Sequence, residues 1–230
     1  MCGILGAVTK SGHFVQKENL LKGLEKLFRR GPDAHNIFIH GQVGLAHARL
    51  SIIDTSEAAN QPFTDATGRY VIIFNGEIFN YRQLRKQYLK DVKFNTSSDT
   101  EVLLNLYILK GKECLNLLNG FFAFAIYDKF SGEVFIARDR YGIKPLVYYE
   151  NQDIFLFGSE LKALIAFGIH KEIDFSALHF YFQLNYFPLE TCVLKDCKKL
   201  KPGSYLILKN GKVYYTSQIE RNSGPSASRQ

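Results

Sequence analysis

The sequence predicts an α+β fold in which two antiparallel β-sheets pack on each other and helices cover them. Three observations support this prediction. Apolar segments of strand length alternate along the chain with segments of helical periodicity. Three pairs of the strand-like segments flank short turn sequences, as β-hairpins do. Hydrophobic residues make up 46% of the 230 residues, which is enough to bury a sizeable core.

The first elements follow from apolar spacing near the N-terminus. Residues 3–9 form a short apolar run that predicts a buried strand. Leucines at helical spacing predict an amphipathic helix over 17–29. The sequence Arg30-Gly31-Pro32-Asp33 ends this helix, because Gly and Pro do not continue a helix comfortably. Short strands are predicted to follow at 36–40 and 43–49.

The middle of the chain begins with an apolar, β-branched run at 70–74, which predicts a central strand that stops at Asn75-Gly76. Helices are predicted at 80–90 and 98–110. Ser98 followed by Glu101 at the third position predicts a capping box at the start of the second helix.

The second half of the chain is rich in hairpin signals. Asn210-Gly211 is the strongest of them, since this dipeptide suits a two-residue hairpin turn. Helices are predicted at 159–167 and 174–183. The polar tail from about residue 216 to residue 230 contains Gly, Ser and Pro and is predicted to be disordered or non-native. The hairpin segments are 121–127 with 133–138, 146–149 with 154–157, and 205–208 with 212–215.

Composition excludes several classes of function. The net charge of +7 comes from scattered basic residues, with only short pairs such as Arg29-Arg30, so no nucleic-acid interaction is expected. No apolar run approaches the roughly 20 residues that cross a bilayer. The N-terminus also lacks the basic and then apolar order of a signal peptide. We therefore expect a cytoplasmic protein that binds no membrane.

The four cysteines predict neither a disulfide framework nor a metal site. They form no CxxC pair, and no histidine stands at metal-ligand spacing from them. They are Cys2, Cys114, Cys192 and Cys197.

Cys2 is the first candidate for chemistry. If Met1 is removed, this residue carries both a thiol and a free α-amine. Their reference pKa values are about 8.5 and about 7.7–8.0, so proton transfer between them near neutral pH is facile. The alternative is an inert buried cysteine beside a strand, and a Met-Cys start alone favours that alternative.

Asn75-Gly76 is the second candidate. An asparagine carboxamide and a glycine N–H can both donate to one developing oxyanion. The alternative is a hairpin turn, but the following residues, Glu77 to Arg82, lead into a predicted helix and not into a partner strand.

Charged residues supply the remaining candidates. Arg49 ends an apolar strand and is suited either to bind a carboxylate in bidentate fashion or to pair with Asp54. Asp99 lies in the first turn of a predicted helix, where it either favours the helix dipole or holds a substrate ammonium group. Glu77 is a second acid for the same ammonium group.

Taken together, these segments resemble the class II glutamine amidotransferases, whose nucleophile is an N-terminal cysteine. In detail the sequence looks like the glutaminase half of a glutamine-hydrolysing asparagine synthetase. The resemblance covers roughly residues 2–215. The segments that carry it are MCGILG at 1–6, RGPD at 30–33, HARLSIID at 47–54, QPF at 61–63, NGEIFNY at 75–81, SSDTE at 97–101, RDRYGIKPL at 138–146, SELKAL at 159–164 and LKPGSY at 200–205.

The resemblance implies a four-layer αββα sandwich and a complete glutaminase site. Cys2 is expected to attack the side-chain amide carbon of glutamine, and its own amine is expected to handle the proton. Asn75 and Gly76 are expected to form the oxyanion hole. Arg49 is expected to bind the α-carboxylate of glutamine, while Glu77 and Asp99 hold its α-ammonium group.

The family's SGGxDS pyrophosphate-binding loop does not occur in this sequence, and no Gly-rich phosphate loop replaces it. We therefore expect a glutamine amidotransferase domain over 1–215 without the ATP-dependent synthetase domain, as in a fragment. This domain needs no cofactor, and ATP and Mg²⁺ belong to the missing domain. The expected partners are L-glutamine and a synthetase domain or subunit that accepts ammonia. A homodimer is left open.

Two other hypotheses remain. The chain is alternatively a stand-alone amidotransferase subunit that feeds ammonia to another acceptor enzyme, or a non-catalytic scaffold domain. An intact set of site residues argues against the scaffold, since a degenerate site is expected to have lost at least one of them.

Overall fold

The computed structural model describes residues 1–10, 12–209 and 211–216. Asn210 of the predicted hairpin turn and the predicted tail beyond residue 216 lie outside these ranges. The described strands are β1 (Gly3–Thr9), β2 (Ala34–His40), β3 (Val43–Arg49), β4 (Phe63–Thr64), β5 (Tyr70–Ile78), β6 (Gly120–Asp128), β7 (Glu133–Arg138), β8 (Val147–Glu150), β9 (Ile154–Gly158), β10 (Cys197–Lys199), β11 (Tyr205–Lys209) and β12 (Lys212–Thr216).

The described helices lie between these strands along the chain, three of them in succession after β5. They are α1 (Lys17–Glu25), α2 (Tyr81–Tyr88), α3 (Asp99–Lys110), α4 (Cys114–Leu117), α5 (Leu161–Phe167) and α6 (Phe175–Leu184), with short 3₁₀ turns at Glu57–Ala59 and Gly111–Glu113. No helix in the described ranges is long and apolar enough to span a lipid bilayer.

The strands form two six-stranded sheets. The order in the first sheet is β10-β8-β9-β1-β3-β2, and the order in the second is β12-β11-β7-β6-β5-β4. The pairs of described strands are all antiparallel, including the three predicted hairpins β6–β7, β8–β9 and β11–β12.

Three apolar clusters give the order of the layers. Alternate residues of a strand point to opposite faces of its sheet, so each sheet contributes to two clusters. Ile73 of β5 packs with Ile4 of β1 between the two sheets. Ile72 on the opposite face packs with Leu103 of α3, outside the second sheet. On the outer face of the first sheet, α1 packs over β1 and β3, and α5 packs beside it over β8 and β9. This arrangement confirms the predicted α+β fold and its αββα layers.

The prediction that the central strand stops at Asn75-Gly76 was wrong. β5 continues to Ile78, and Asn75 and Gly76 pair with Ala123 and Phe122 of β6. A Cβ atom at Gly76 would lie 2.4 Å from the Phe121 carbonyl oxygen and 2.5 Å from the Phe74 ring. Glycine is therefore required here by close packing inside a strand, and not by a turn.

Other boundaries also differ from the predictions. The first helix ends at Glu25, four residues early, and turns fill the stretch before Gly31. The short elements α4, β4 and β10 were not predicted, because two to four residues carry too little periodicity to be recognised.

The capping box at α3 is only half formed. The Glu101 N–H donates to the Ser98 hydroxyl at 3.2 Å, as predicted. The Glu101 carboxylate does not reach back to the Ser98 N–H, and it accepts instead from the N–H groups of Asn95 and Thr96. The carboxylate thus anchors the loop that leads into the helix.

Candidate active site

One cleft collects all six residues that the sequence predicts for the site: Cys2, Arg49, Asn75, Gly76, Glu77 and Asp99. It encloses about 640 Å³ of empty space, part of which is open solvent. Its walls come from the N-terminus, the end of β3, the following loop, the second half of β5 and the start of α3. Among the described residues no three His, Cys, Asp or Glu side chains are grouped as a metal site requires.

Cys2 lies directly before β1 and is half-buried. Its Sγ accepts a hydrogen bond from the Leu50 N–H at 3.4 Å. Burial raises the pKa of the Cys2 thiol, while the Leu50 N–H and the charge of Arg49 act in the opposite direction. The thiol is therefore protonated near neutral pH and needs a base before it can attack. While Met1 is attached, the Cys2 nitrogen is an amide and cannot be that base.

Side chains from two other motifs hold the N-terminal strand. The Ser159 hydroxyl accepts from the Ile4 N–H at 3.0 Å. Arg30 donates to the Cys2 carbonyl oxygen at 2.9 Å and forms an ion pair with Glu160 at 2.9 Å. Arg30 belongs to the RGPD segment, and Ser159 and Glu160 belong to the SELKAL segment, but the sequence alone predicted no role for these three side chains. Their contacts with Cys2 and Ile4 join positions far apart in the chain.

One edge of β5 faces the cleft with its backbone groups. The Phe122 carbonyl oxygen accepts from the Asp139 N–H, on the side of β6 that faces β7. Gly76 of β5 and Phe122 of β6 therefore form a non-hydrogen-bonded pair. The N–H groups of Phe74, Gly76 and Ile78 therefore point away from β6. Phe74 donates to Gln61 and Ile78 donates to Asp99. The Gly76 N–H lies between these two and donates to no side chain among the described residues. The Gly76 N–H is therefore available to a ligand.

Asn75 is only 1% exposed, yet neither its amide nitrogen nor its amide oxygen has a partner among the described residues. Leaving a buried polar group unsatisfied costs about 1–3 kcal/mol. Native structures rarely retain such a cost without a functional reason. The side chain shares the face of β5 that carries Val71 and Ile73 toward the first sheet, where Cys2 lies.

His47 on β3 contacts the strand that carries Asn75, a role that the sequence alone did not predict. It is fully buried, and burial lowers its pKa to about 4, so the ring is neutral. Its Nε2 lies 3.0 Å from the Phe74 carbonyl oxygen. Because a carbonyl only accepts, Nε2 carries the proton. His47 thus ties the peptide bond between Phe74 and Asn75 to the first sheet.

Arg49 is buried at the end of β3, and it does not pair with the Asp54 carboxylate. Its Nη1 donates to the Ser56 carbonyl at 2.8 Å and to the Asn60 side chain at 2.7 Å, and its Nη2 donates to the Asp54 backbone carbonyl. The Nε–H and the second Nη2–H have no described partner. These two remaining donors, the open fork of Arg49, suit a carboxylate.

The Asp54 carboxylate has other partners, which explains why the ion pair with Arg49, the alternative to carboxylate binding, does not form. It accepts hydrogen bonds from the N–H and hydroxyl groups of Ser56 and Ser97. These bonds hold the pKa of Asp54 well below its usual range. Asp54 therefore joins the loop after β3 to the residues just before α3.

Asp99 is 5% exposed at the first position of α3, and its carboxylate accepts from the Ile78 N–H at 3.0 Å. Burial raises its pKa to about 6, and the negative charge of Glu77 adds to the increase. Glu77 itself is exposed at the cleft. A buried acid without a cationic partner in the described residues is suited to receive a cation from a ligand.

Comparisons with known proteins identify the family of this chain. Residues 1–218 match the family model described as a glutamine amidotransferase domain. Glutamine-hydrolyzing asparagine synthetase 1 of Bacillus subtilis is 38% identical over 230 residues, which cover 98% of this chain and 36% of the synthetase. Amidase chry2 of Gibberella zeae is 35% identical over 219 residues, which cover 90% of this chain and 32% of the amidase. The chain thus spans about a third of the length of these relatives.

A solved structure shares the fold. Glutamine phosphoribosylpyrophosphate amidotransferase from B. subtilis superimposes with a TM-score of 0.72 at 23% sequence identity. The match covers 96% of this chain and 50% of that one. At this level of identity the likeness concerns the fold alone.

Proposed function

The chain belongs to the glutamine amidotransferase domain family, and on that premise we propose that Cys2 hydrolyses glutamine to glutamate and ammonia. The observation that carries the proposal is the buried, unpartnered Asn75 carboxamide in the same cleft as the Cys2 thiol. A structural asparagine at this position would have partners of its own. An oxyanion that forms only during the reaction would supply the missing acceptor.

The proposed reaction begins after removal of Met1. The free α-amine of Cys2 takes the thiol proton, and the thiolate attacks the side-chain amide carbon of glutamine. The oxyanion that forms accepts from the Asn75 carboxamide and the Gly76 N–H. When the intermediate collapses, the amine returns its proton to the leaving nitrogen and ammonia departs. Water then hydrolyses the glutamyl thioester and releases glutamate.

Recognition of the amino-acid end rests on the charged residues of the cleft. The open Nε–Nη2 fork of Arg49 matches the α-carboxylate of glutamine. Asp99, with Glu77 nearby, matches the α-ammonium group. A glutamine zwitterion thereby neutralises one buried cation and one buried anion at once.

The finer assignment is that this domain supplies ammonia for asparagine synthesis, as the glutaminase part of an asparagine synthetase. The relatives' names support it, since this chain aligns over 98% of its length with a glutamine-hydrolyzing asparagine synthetase. In that case ATP and Mg²⁺ act in the synthetase domain, and this domain needs no cofactor. The second candidate is a stand-alone amidotransferase subunit that supplies ammonia to a different acceptor enzyme. The similarity to an amidase supports this alternative.

Glutamate release from the purified chain, with and without ATP, tests the proposal. Intact mass first establishes that Met1 has been removed. We expect release at the same rate in both conditions, because the cleft contains every group that the reaction uses. Strict dependence on ATP, or no release from a folded and processed sample, would contradict the proposed activity.

We expect Arg49→Ala to raise the KM for glutamine by at least about 30-fold, since truncating one partner of a buried charge pair costs roughly 2 kcal/mol or more. The variant should also lose the preference for glutamine over its α-amide, which lacks the carboxylate. Kinetics with both substrates measure the two effects.

The control for Arg49 is Asn60→Ala, which removes one anchor of the same guanidinium group without touching its open fork. If Arg49 only anchors the loop, both variants should lose thermal stability and keep the preference for the free carboxylate. That result would remove Arg49 from substrate recognition.

Asp99→Asn separates stability from binding. The pKa of Asp99 is raised to about 6 in the folded protein, so the folded state holds the proton more tightly than the unfolded state. Stability therefore falls as pH rises from about 4 to about 6. The neutral asparagine avoids this loss and still accepts from Ile78. We expect a higher melting temperature than wild type at pH 7.5 and no difference below pH 4.

The same substitution should weaken glutamine binding at pH 7.5, because the ammonium group loses its anion. In the wild type, KM should rise as pH falls through about 6, and this rise should be absent in Asp99→Asn. Glutaramate, which lacks the ammonium group, supplies the control substrate. An equal pH dependence of KM in both proteins would exclude Asp99 from ammonium binding.

A further inference from the structure

Gln61 lies in the loop before β4 and is only 5% exposed. Both ends of its carboxamide are engaged. The oxygen accepts from the Phe74 N–H at 2.6 Å, and the nitrogen donates to the Thr100 hydroxyl at 3.2 Å. The two contacts reach different elements, since Phe74 belongs to β5 and Thr100 belongs to α3.

The first contact compensates for a missing strand neighbour. β4 contains two residues, and they pair only with Ile72 and Val71. Among the described residues, no strand therefore lies beside the edge of β5 beyond Ile72. The Gln61 carboxamide accepts from Phe74 where a longer β4 would have supplied a backbone carbonyl. On the same residue, His47 binds the Phe74 carbonyl oxygen, so side chains hold Phe74 at both its N–H and its C=O.

The second contact reaches the other half of the cleft. Thr100 follows Asp99, whose carboxylate accepts from Ile78 at the end of β5. Phe74 precedes Asn75. The Gln61 side chain thus connects Phe74, which precedes the oxyanion donor Asn75, with Thr100, which follows the proposed ammonium ligand Asp99.

We propose that Gln61 is a positioning residue, which holds the oxyanion donors Asn75 and Gly76 in place relative to Asp99. The inference rests on the proposed glutaminase activity and deepens it. Gln61 also lines the cleft, but its carboxamide oxygen and one amide hydrogen are already used within the protein. Its effect on the reaction is therefore exerted through Phe74, and it is not a ligand of the substrate.

The test is Gln61→Leu, which keeps a side chain of similar bulk without the two hydrogen bonds. We expect kcat to fall by about 10- to 100-fold, because a displacement of a fraction of an ångström at catalytic donors has effects of this order. The KM for glutamine should change less than kcat. A residue that binds substrate directly would instead raise KM and leave kcat unchanged, and that outcome would overturn the inference.

A double-mutant cycle with Asn75→Ala supplies the decisive measurement. If Gln61 acts by positioning Asn75, Gln61→Leu should lower kcat much less in the Asn75→Ala background than in the wild type. The decreases in kcat from the two substitutions should therefore not multiply. Independent, multiplicative effects in an active protein would overturn the inference while leaving the proposed function intact. A processed wild type without glutaminase activity would overturn both.

Two further variants keep the test valid if Gln61→Leu folds poorly. Thr100→Val removes the hydroxyl at nearly constant volume and should lower kcat by a few-fold, in the same non-multiplicative way. Asn36→Ala removes only the contact of Asn36 with the Gln61 backbone carbonyl at 3.4 Å and should leave kcat unchanged. If Asn36→Ala lowers kcat as much as Thr100→Val does, general loosening of the loop explains the data and the proposal fails.

Discussion

Replacing Cys2 with alanine is expected to abolish glutamate release, with a loss of at least about 10⁴-fold, because no other group in the cleft can form the thioester. The fold should be unaffected, since the thiol makes only weak hydrogen bonds, with the N–H and the carbonyl oxygen of Leu50. Glutamine binding should persist through Arg49 and Asp99. Release of glutamate, thermal melting and calorimetric titration with glutamine measure the three quantities on one preparation.

The matched control for Cys2 is Cys192→Ala. This cysteine is buried under the first sheet, in the cluster that contains α1 and α5, and it does not line the cleft. It should leave turnover unchanged. Electrophile labelling adds a second check, because a glutamine-like electrophile should add one label to the processed wild type and none to Cys2→Ala. Normal turnover in Cys2→Ala would refute the proposed nucleophile.

The second large effect is expected for Asn75→Ala, with a decrease in kcat of about 10²–10³-fold, the usual result of removing one oxyanion donor. The KM for glutamine should change little, because the carboxamide acts on charge that develops only in the transition state. Stability should not fall much, since the side chain loses no hydrogen bond. It can even rise, because the unpartnered amide costs free energy in the absence of an oxyanion.

Asn80→Ala provides the contrast within the same segment. Its carboxamide donates to the Leu117 carbonyl at 2.9 Å and accepts from the Asn119 N–H at 3.0 Å. Its loss should lower the melting temperature and leave the rate per folded molecule nearly intact. If Asn75→Ala behaves like Asn80→Ala, then Asn75 is a structural residue and the proposed oxyanion hole is wrong.

The layered architecture was within reach of the sequence because its signals are local. A short turn between apolar segments, such as the three residues between β8 and β9, favours antiparallel pairing wherever it occurs. Helical spacing of leucines in α1 likewise identifies a buried face without reference to other elements. Where local signals were short, as in β4 and β10, the prediction failed.

The sequence was sufficient to predict which residues form the candidate site, but not which contacts they make. Cys2, Arg49 and Asp99 were singled out by residue type and position at the ends of predicted elements, and the structure brings them into one cleft. Their catalytic and binding roles stay predictions until the variants are measured. Gln61 and His47 could not be found this way, because nothing in their neighbours along the chain shows that both contact Phe74.

The sequence by itself determined the fold class and the set of chemically suitable residues, since these depend on periodicity, turn chemistry and side-chain type. Only the tertiary structure decided that Asn75 and Gly76 lie within a strand, that Arg49 retains an open fork, and that the pKa of Asp99 is raised to about 6. Each of these properties depends on burial or on hydrogen bonds that the order of residues in the chain does not reveal. Such contacts exist only after the two sheets and their helices have packed.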